Sequence, residues 1–116
     1  MNVISRKKLR TFWRRYPDTE EPLAQWFKVA RKATWSKWPD VQNVYPKASC
    51  YQCCLIFNIV GGSYRLVVRR RENWSTMFVV GVFTHNEYDR DEWKSSCPCR
   101  KPGKAHIGNQ GKKKWQ

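Results

Sequence analysis

Residues 51–84 read YQCCLIFNIV GGSYRLVVRR RENWSTMFVV GVFT, and three strands can be read along them. Tyr51 to Val60 is apolar, with β-branched and aromatic residues, and suits a strand. Gly61-Gly62-Ser63 is a hairpin signal. Tyr64 to Arg71 alternates, with Tyr64, Leu66 and Val68 on one face and Arg65, Val67 and Arg69 on the other. Glu72-Asn73-Trp74-Ser75 is a second turn, and Thr76 to Thr84 a third, more apolar strand. A polar segment, Thr84-His85-Asn86-Glu87-Tyr88-Asp89, closes it.

Upstream of residue 51 the period is helical. Leu9, Phe12, Trp13 and Tyr16 fall at i, i+3, i+4 and i+7, after a possible cap at Ser5 and before a stop at Pro17. Leu23, Trp26, Phe27 and Ala30 repeat the spacing. Thr19 can act as their cap, with Glu20 and Glu21 in the first turn and Pro22 where an amide lacks a helical partner. Asn2 to Ser5 reads as a short opening strand. Residues 33–49, broken by Pro39 and Pro46, read as a connection with one helical turn. The order β-α-α-β-β-β predicts an α+β fold. Two N-terminal helices would pack on one face of a small twisted antiparallel sheet, leaving the Arg65/Arg69 face open to a partner. Prolines and glycines break all periodicity from Cys97 on. The chain therefore divides into a folded domain, 1–96, and a basic Cys/Lys-rich tail, 97–116, read as disordered.

Charge narrows the function. The 116 residues carry 23 Lys+Arg against nine Asp+Glu, a net +14. Residues 100–116 hold six of the basic residues and no acid, so the remainder is basic without them. A polyanionic partner follows, and nucleic acid comes before a membrane because no basic amphipathic anchor and no spanning apolar run is visible. Met1 to Arg10 holds four basic residues with no apolar block behind them, unlike a secretory leader. The expected location is cytoplasmic. The five cysteines, Cys50, Cys53, Cys54, Cys97 and Cys99, then read as reduced thiols.

Four groups of side chains could carry chemistry. Arg65, Arg69 and Arg71 share strand parity, and guanidinium forks match phosphate; a solvated charge run is the plain alternative. His85 can move a proton near neutral pH, or it hydrogen-bonds a turn at a strand end. RNA brings its own nucleophile, the 2′-OH. A base, a cation for the phosphorane and an acid for the leaving oxygen would suffice, and His, Arg and Tyr can supply them with no metal and no other cofactor. Tyr64, Trp74, Tyr88 and Trp93 are candidates to stack on bases, whereas Trp13, Trp26, Trp35 and Trp38 read as packing. Cys50, Cys53, Cys97 and Cys99 could supply four zinc thiolates, although the second pair is spaced more tightly than a usual knuckle.

Several of these pieces in order resemble the HigB family of RelE-like bacterial toxins. They are Val3-Ile4-Ser5-Arg6, Phe12-Trp13, Tyr16-Pro17, Trp35, Tyr45-Pro46, Phe57-Asn58-Ile59, Tyr64-Arg65-Leu66-Val67-Val68 and Thr84-His85-Asn86-Glu87-Tyr88-Asp89, spanning about residues 2 to 90. Gly62 and Phe83 depart from that pattern, standing where the family often has Asn and Gly. The resemblance implies a RelE-like fold and an mRNA endoribonuclease of a type II toxin–antitoxin system, acting on mRNA at the ribosome. It implies a HigA-like helix-turn-helix antitoxin as partner. By position, Arg65 would stabilise the phosphate, His85 would transfer a proton and Tyr88 would assist. Charge, parity and ring chemistry add Lys7, Tyr64, Arg69 and Arg71 as RNA contacts. A non-catalytic basic RNA-binding module of the same fold, or a small zinc protein built on the cysteines, are the rival readings.

Overall fold

Helical spacing and strand alternation both convert into structure. The computed structural model describes residues 1–99, so residues 100–116 of the expected tail lie outside the described residues. Strand β1 (Asn2–Ile4) leads into helices α1 (Arg6–Arg15) and α2 (Glu20–Lys32), linked by a 3-10 turn at Pro17–Thr19. Helix α3 (Trp38–Val44) precedes β2 (Ser49–Tyr51), β3 (Cys54–Ile59), β4 (Tyr64–Arg70) and β5 (Thr76–Thr84). A short helix α4 (His85–Asp89) and a 3-10 turn at Glu92–Ser96 follow. None of the described helices is long and apolar enough to cross a membrane.

The α+β class agrees with the sequence, but the sheet is mixed rather than antiparallel. Its strand order is β1-β5-β4-β3-β2, and β1 runs parallel to β5, with Val3 opposite Met77. A hairpin fixes an antiparallel neighbour locally. The β1–β5 pair joins segments over seventy residues apart, so its direction is a tertiary outcome. The expected strand over 51–60 is two strands. Gln52 turns the chain with φ 53°, and β2 folds back on β3 with Tyr51 opposite Cys54. The connection 33–49 holds a seven-residue helix instead of one turn. Pro39 sits in its first turn, where no amide is needed, and Asp40 accepts hydrogen bonds from the Ser36 N–H and Oγ. Neither expected helix cap acts through its side chain as one: Ser5 has φ 78° and makes no side-chain capping bond, and buried Thr19 donates its Oγ1 to the Tyr16 carbonyl at 2.7 Å.

Alternation along the strands sorts the side chains into two clusters. Leu55, Phe57, Ile59, Leu66, Val68, Met77, Val79 and Val82 are buried with Leu9 of α1, Leu23, Trp26 and Ala30 of α2, and Val41 of α3. The Phe57 ring lies 5.4 Å from Trp26 and 5.2 Å from Tyr45. The face of Arg65, Val67 and Arg69, which the sequence leaves open to a partner, also carries their ladder partners Cys54 and Ile56. Cys54, Ile56 and Val67 are instead buried under Trp93 and Cys97, with Tyr51, Val80, Phe83 and Tyr88 around them. Residues 85–99 therefore cover much of the face that carries Arg65 and Arg69. A register shift opposite Val67/Val68 leaves Val80 as the extra residue of β5. It re-phases the strand so that Gly81 and Phe83 face this second cluster. The Phe83 ring lies so close over Gly81 that an added Cβ there would meet it at 3.0 Å.

The reduced-thiol reading is overturned. Cys53 pairs with Cys99 and Cys54 with Cys97, while Cys50 is a free, exposed thiol. Three of the four thiols required for the zinc reading are thereby consumed. The β2–β3 hairpin puts Cys53 and Cys54 side by side at its turn, and the Cys53 N–H donates to the Cys97 carbonyl at 2.9 Å, which brings the returning chain alongside. Connectivity of this kind has no signature in spacing alone.

The β3–β4 turn stores backbone strain. Val60, Gly61 and Gly62 have φ of 52°, 61° and 96°, and a β-branched residue is disfavoured in that region. Val60→Gly is expected to change stability by less than about 1 kcal/mol, because relief of the αL penalty is offset by the added chain entropy of glycine and by the core contacts that the half-buried Val60 side chain makes. Denaturant titration with an unchanged slope would show it; a midpoint lowered as far as loss of a Val side chain alone requires would refute the strain.

Candidate functional site

The antiparallel β4–β5 register brings the strongest sequence candidates to one end of the sheet. Tyr64 lies opposite Thr84 and Arg65 opposite Phe83, so the start of β4 sits beside the entry to α4. Thr84 and Glu87 close that entry reciprocally. The Glu87 N–H donates to Thr84 Oγ1 at 3.3 Å, and the Thr84 N–H donates to Glu87 Oε1 at 3.0 Å. This capping box fixes where the polar segment leaves β5 and turns it into a helix.

Within α4, His85 and Tyr88 are three residues apart and therefore neighbours on the helix surface. His85 is 61% exposed, and its Nδ1 lies 3.3 Å from Asp89 Oδ2 one turn later. The carboxylate faces Nδ1 and leaves Nε2 clear of it. Tyr88 stacks on Trp93 with centroids 5.0 Å apart and an interplanar angle of 10°, and the Trp93 Nε1–H donates to the Tyr88 carbonyl at 2.9 Å. The Arg65 guanidinium lies 5.3 Å from the Tyr88 ring centroid. Arg65 also donates Nη1–H to the Gly62 carbonyl. One of five guanidinium N–H groups is thus committed to the strained turn, and the fork is held in place with donors to spare.

Arg65, His85 and Tyr88 are thus gathered, and the other candidates are dispersed. Arg69 shares the parity of Arg65 but lies four residues along β4, about 13 Å away. It is half-buried and donates Nη2–H to the Pro98 carbonyl at 3.2 Å, with Glu72 at 4.0 Å. Arg71 is exposed at that far end, 5.8 Å from the Phe78 ring. Tyr64 points to the helix side, edge-on to Phe12 at 5.5 Å and near Tyr16. Its partial burial and the Asp18 carboxylate push the phenol up from its ordinary pKa. Trp93 is buried, and Arg70 lies over the half-buried Trp74 at 4.5 Å.

Lys7 belongs to a cleft of about 660 Å³ between α1 and the end of β5. Lys7, Lys8, Thr11 and Arg15 line one wall; Gly81, Phe83 and Glu87 line the other. The Lys8 ammonium reaches the Val80 carbonyl, left outside the ladder by the bulge, at 3.5 Å. The cleft adjoins α4 through Glu87, so a phosphate chain crossing Arg65 could continue into a channel of three cations. Sequence reading missed Lys8 and Arg15. The signal was present: residues 8, 11, 12 and 15 repeat at helical spacing on the flank of the apolar stripe. It missed the capping box too, although Thr84-His85-Asn86-Glu87 spells the motif.

Comparison with known proteins adds one match. A family model described as HigB_toxin, the RelE-like toxic component of a toxin–antitoxin system, matches residues 19–91. That span includes Arg65, His85 and Tyr88 and leaves out Lys7. No curated protein matches the chain.

Proposed function

The chain belongs to the HigB toxin family, the RelE-like toxic component of a toxin–antitoxin system, and from that premise we propose that it is an mRNA endoribonuclease acting on translated messages in the bacterial cytoplasm. The family implies an antitoxin partner; we take that partner to be HigA-like, with a helix-turn-helix domain. The proposed fold is RelE-like, with α1 and α2 on one face of the sheet.

One observation carries the catalytic reading: Arg65 is held against Tyr88, one helical turn from an exposed His85 whose Nδ1 is occupied by Asp89. In the reaction, a base removes the proton from a ribose 2′-OH. The 2′ oxygen attacks the adjacent phosphorus, and the 5′ oxygen of the next nucleotide leaves with a proton. The products are a 2′,3′-cyclic phosphate and a 5′-OH. His85 Nε2 serves as the proton-transfer group and Arg65 neutralises the extra charge on the phosphorane. The Tyr88 phenol assists proton transfer. Lys7 and the α1 cleft carry the flanking backbone, which salt would weaken. Tyr64, Arg69 and Arg71 are proposed as peripheral RNA contacts, the arginines at the far end of β4.

Mapping of mRNA 5′ ends after induction of wild type and His85→Ala tests the reading. New 5′-OH ends inside translated frames, absent in the variant, are expected. Soluble wild type that binds RNA and produces no new ends would reduce the protein to a non-catalytic RNA-binding module.

A further inference from the structure

At the open edge of β3, lined from the helix side by Tyr45 and Phe57 and joined to the Arg65 face through Asn58, lies a second cavity that the cleavage chemistry does not use. It has about 420 Å³ and is lined by Tyr45, Pro46, Lys47, Phe57, Asn58 and Gly61. The loop from α3 to β2 forms one wall and the end of β3 the other. Its volume falls in the range of small-ligand pockets.

Three features point to a planar, polar-edged ligand with a phosphate nearby. First, Asn58 lies directly opposite Arg65 in the β3–β4 ladder, so the two side chains leave the same sheet face about 5 Å apart. Second, the Asn58 side chain is exposed and has no hydrogen-bond partner among the described residues. An amide presents one acceptor and two donors at fixed spacing, which is the pattern that reads a base edge in paired hydrogen bonds. Third, the floor is aromatic and preformed. Tyr45 packs edge-on to Phe57 and Trp35, so the wall does not have to order on binding. Lys47 is exposed at the rim and supplies charge for a backbone phosphate.

We propose that this pocket takes the nucleobase adjoining the phosphate held by Arg65, with the Asn58 amide reading its edge. The inference rests on the ribonuclease reading, and its pocket makes Asn58 a specificity-determining residue. Rate would come from the Arg65 end of the site, and base preference from the Asn58 end.

The test is equilibrium binding of short oligonucleotides that carry 2′-deoxyribose at the scissile position and differ in one base. Full-length wild type is expected to prefer one base at one position by about tenfold. Asn58→Ala should remove that preference while leaving affinity for the poorest base within about twofold. Asn58→Gln, which keeps the amide at a longer reach, should restore part of it. Wild type that binds without preference, or a preference untouched in Asn58→Ala, would overturn the pocket assignment alone. Wild type that binds none of the oligonucleotides would also overturn the pocket assignment, and would overturn the RNA reading with it only where induction produces no new mRNA 5′ ends either. Asn58 is exposed, so unaltered far-ultraviolet dichroism is expected in both variants.

Discussion

Arg65→Ala should slow mRNA cleavage at least a hundredfold, with the protein still folded. The magnitude follows from where the side chain acts. A donor aimed at developing phosphorane charge in a site partly shielded from water contributes about 3 kcal/mol to the barrier. The structural loss is smaller. Arg65 is half-buried, and it gives up one hydrogen bond to the Gly62 carbonyl and one contact with the Tyr88 ring. Together these stabilise the fold by about 1–2 kcal/mol. Single-turnover cleavage and thermal unfolding of the same variant separate the two. Arg65→Lys sharpens the argument, because it keeps the charge and loses the fork. It should recover stability more than rate. Arg71→Ala is the control from the far end of β4 and should retain cleavage within a few-fold, with a weaker salt dependence of binding. The opposite ranking, full activity in Arg65→Ala and loss in Arg71→Ala, would move the site to the other end of the strand.

That ranking also marks how far the sequence could be read. Strand parity placed Arg65 and Arg69 on one face, and the register agrees. Parity says nothing about what covers a face, so it treated as equal two arginines in different surroundings. Arg69 meets the Pro98 carbonyl because residues 85–99 return over the sheet, and that return depends on disulfides whose pairing spacing does not encode. The apolar periods of α1 and α2 were legible because they repeat over several turns. The β2–β3 hairpin was not, because its turn residues, Gln52 and Cys53, carry none of the usual turn chemistry. His85 and Tyr88 were legible as a motif. Their juxtaposition with Arg65 needed the β4–β5 register, which a bulge at Val80 shifts by one residue.

The second large effect is expected from the bridges themselves. Cys53–Cys99 and Cys54–Cys97 close chain segments of 46 and 43 residues. In the chain-entropy picture one such loop constrains the unfolded state by about 4 kcal/mol. The two loops are nested, so the second adds little further constraint. Replacing either pair by alanine should therefore cost far less than replacing both. Breaking both should lower the unfolding temperature by about 15 °C or more for a domain of this size. The loss has a structural counterpart: Trp93 and Cys97 cover Ile56 and Val67, and without the bridges that cover depends on packing alone. Alkylation with mass detection measures the thiols directly. Native protein is expected to take one label, on Cys50, and reduced protein five. Cys50 is exposed but should still label slowly, because partial desolvation of its sulfur pushes the thiol up from the ordinary pKa, against a smaller opposite pull from Arg70. Cys54 and Cys97 are fully buried and should open last under a dithiol, after Cys53–Cys99, whose Cys99 end is exposed. Five labels without reductant, or an unfolding temperature that ignores reduction, would show that packing alone holds residues 85–99. On the proposed cytoplasmic location the expected result is of more than structural interest, because cytosolic thiols are normally kept reduced. A bridge that survives there must be one the reductant cannot reach, and the pair buried beneath Trp93 is placed to be that bridge.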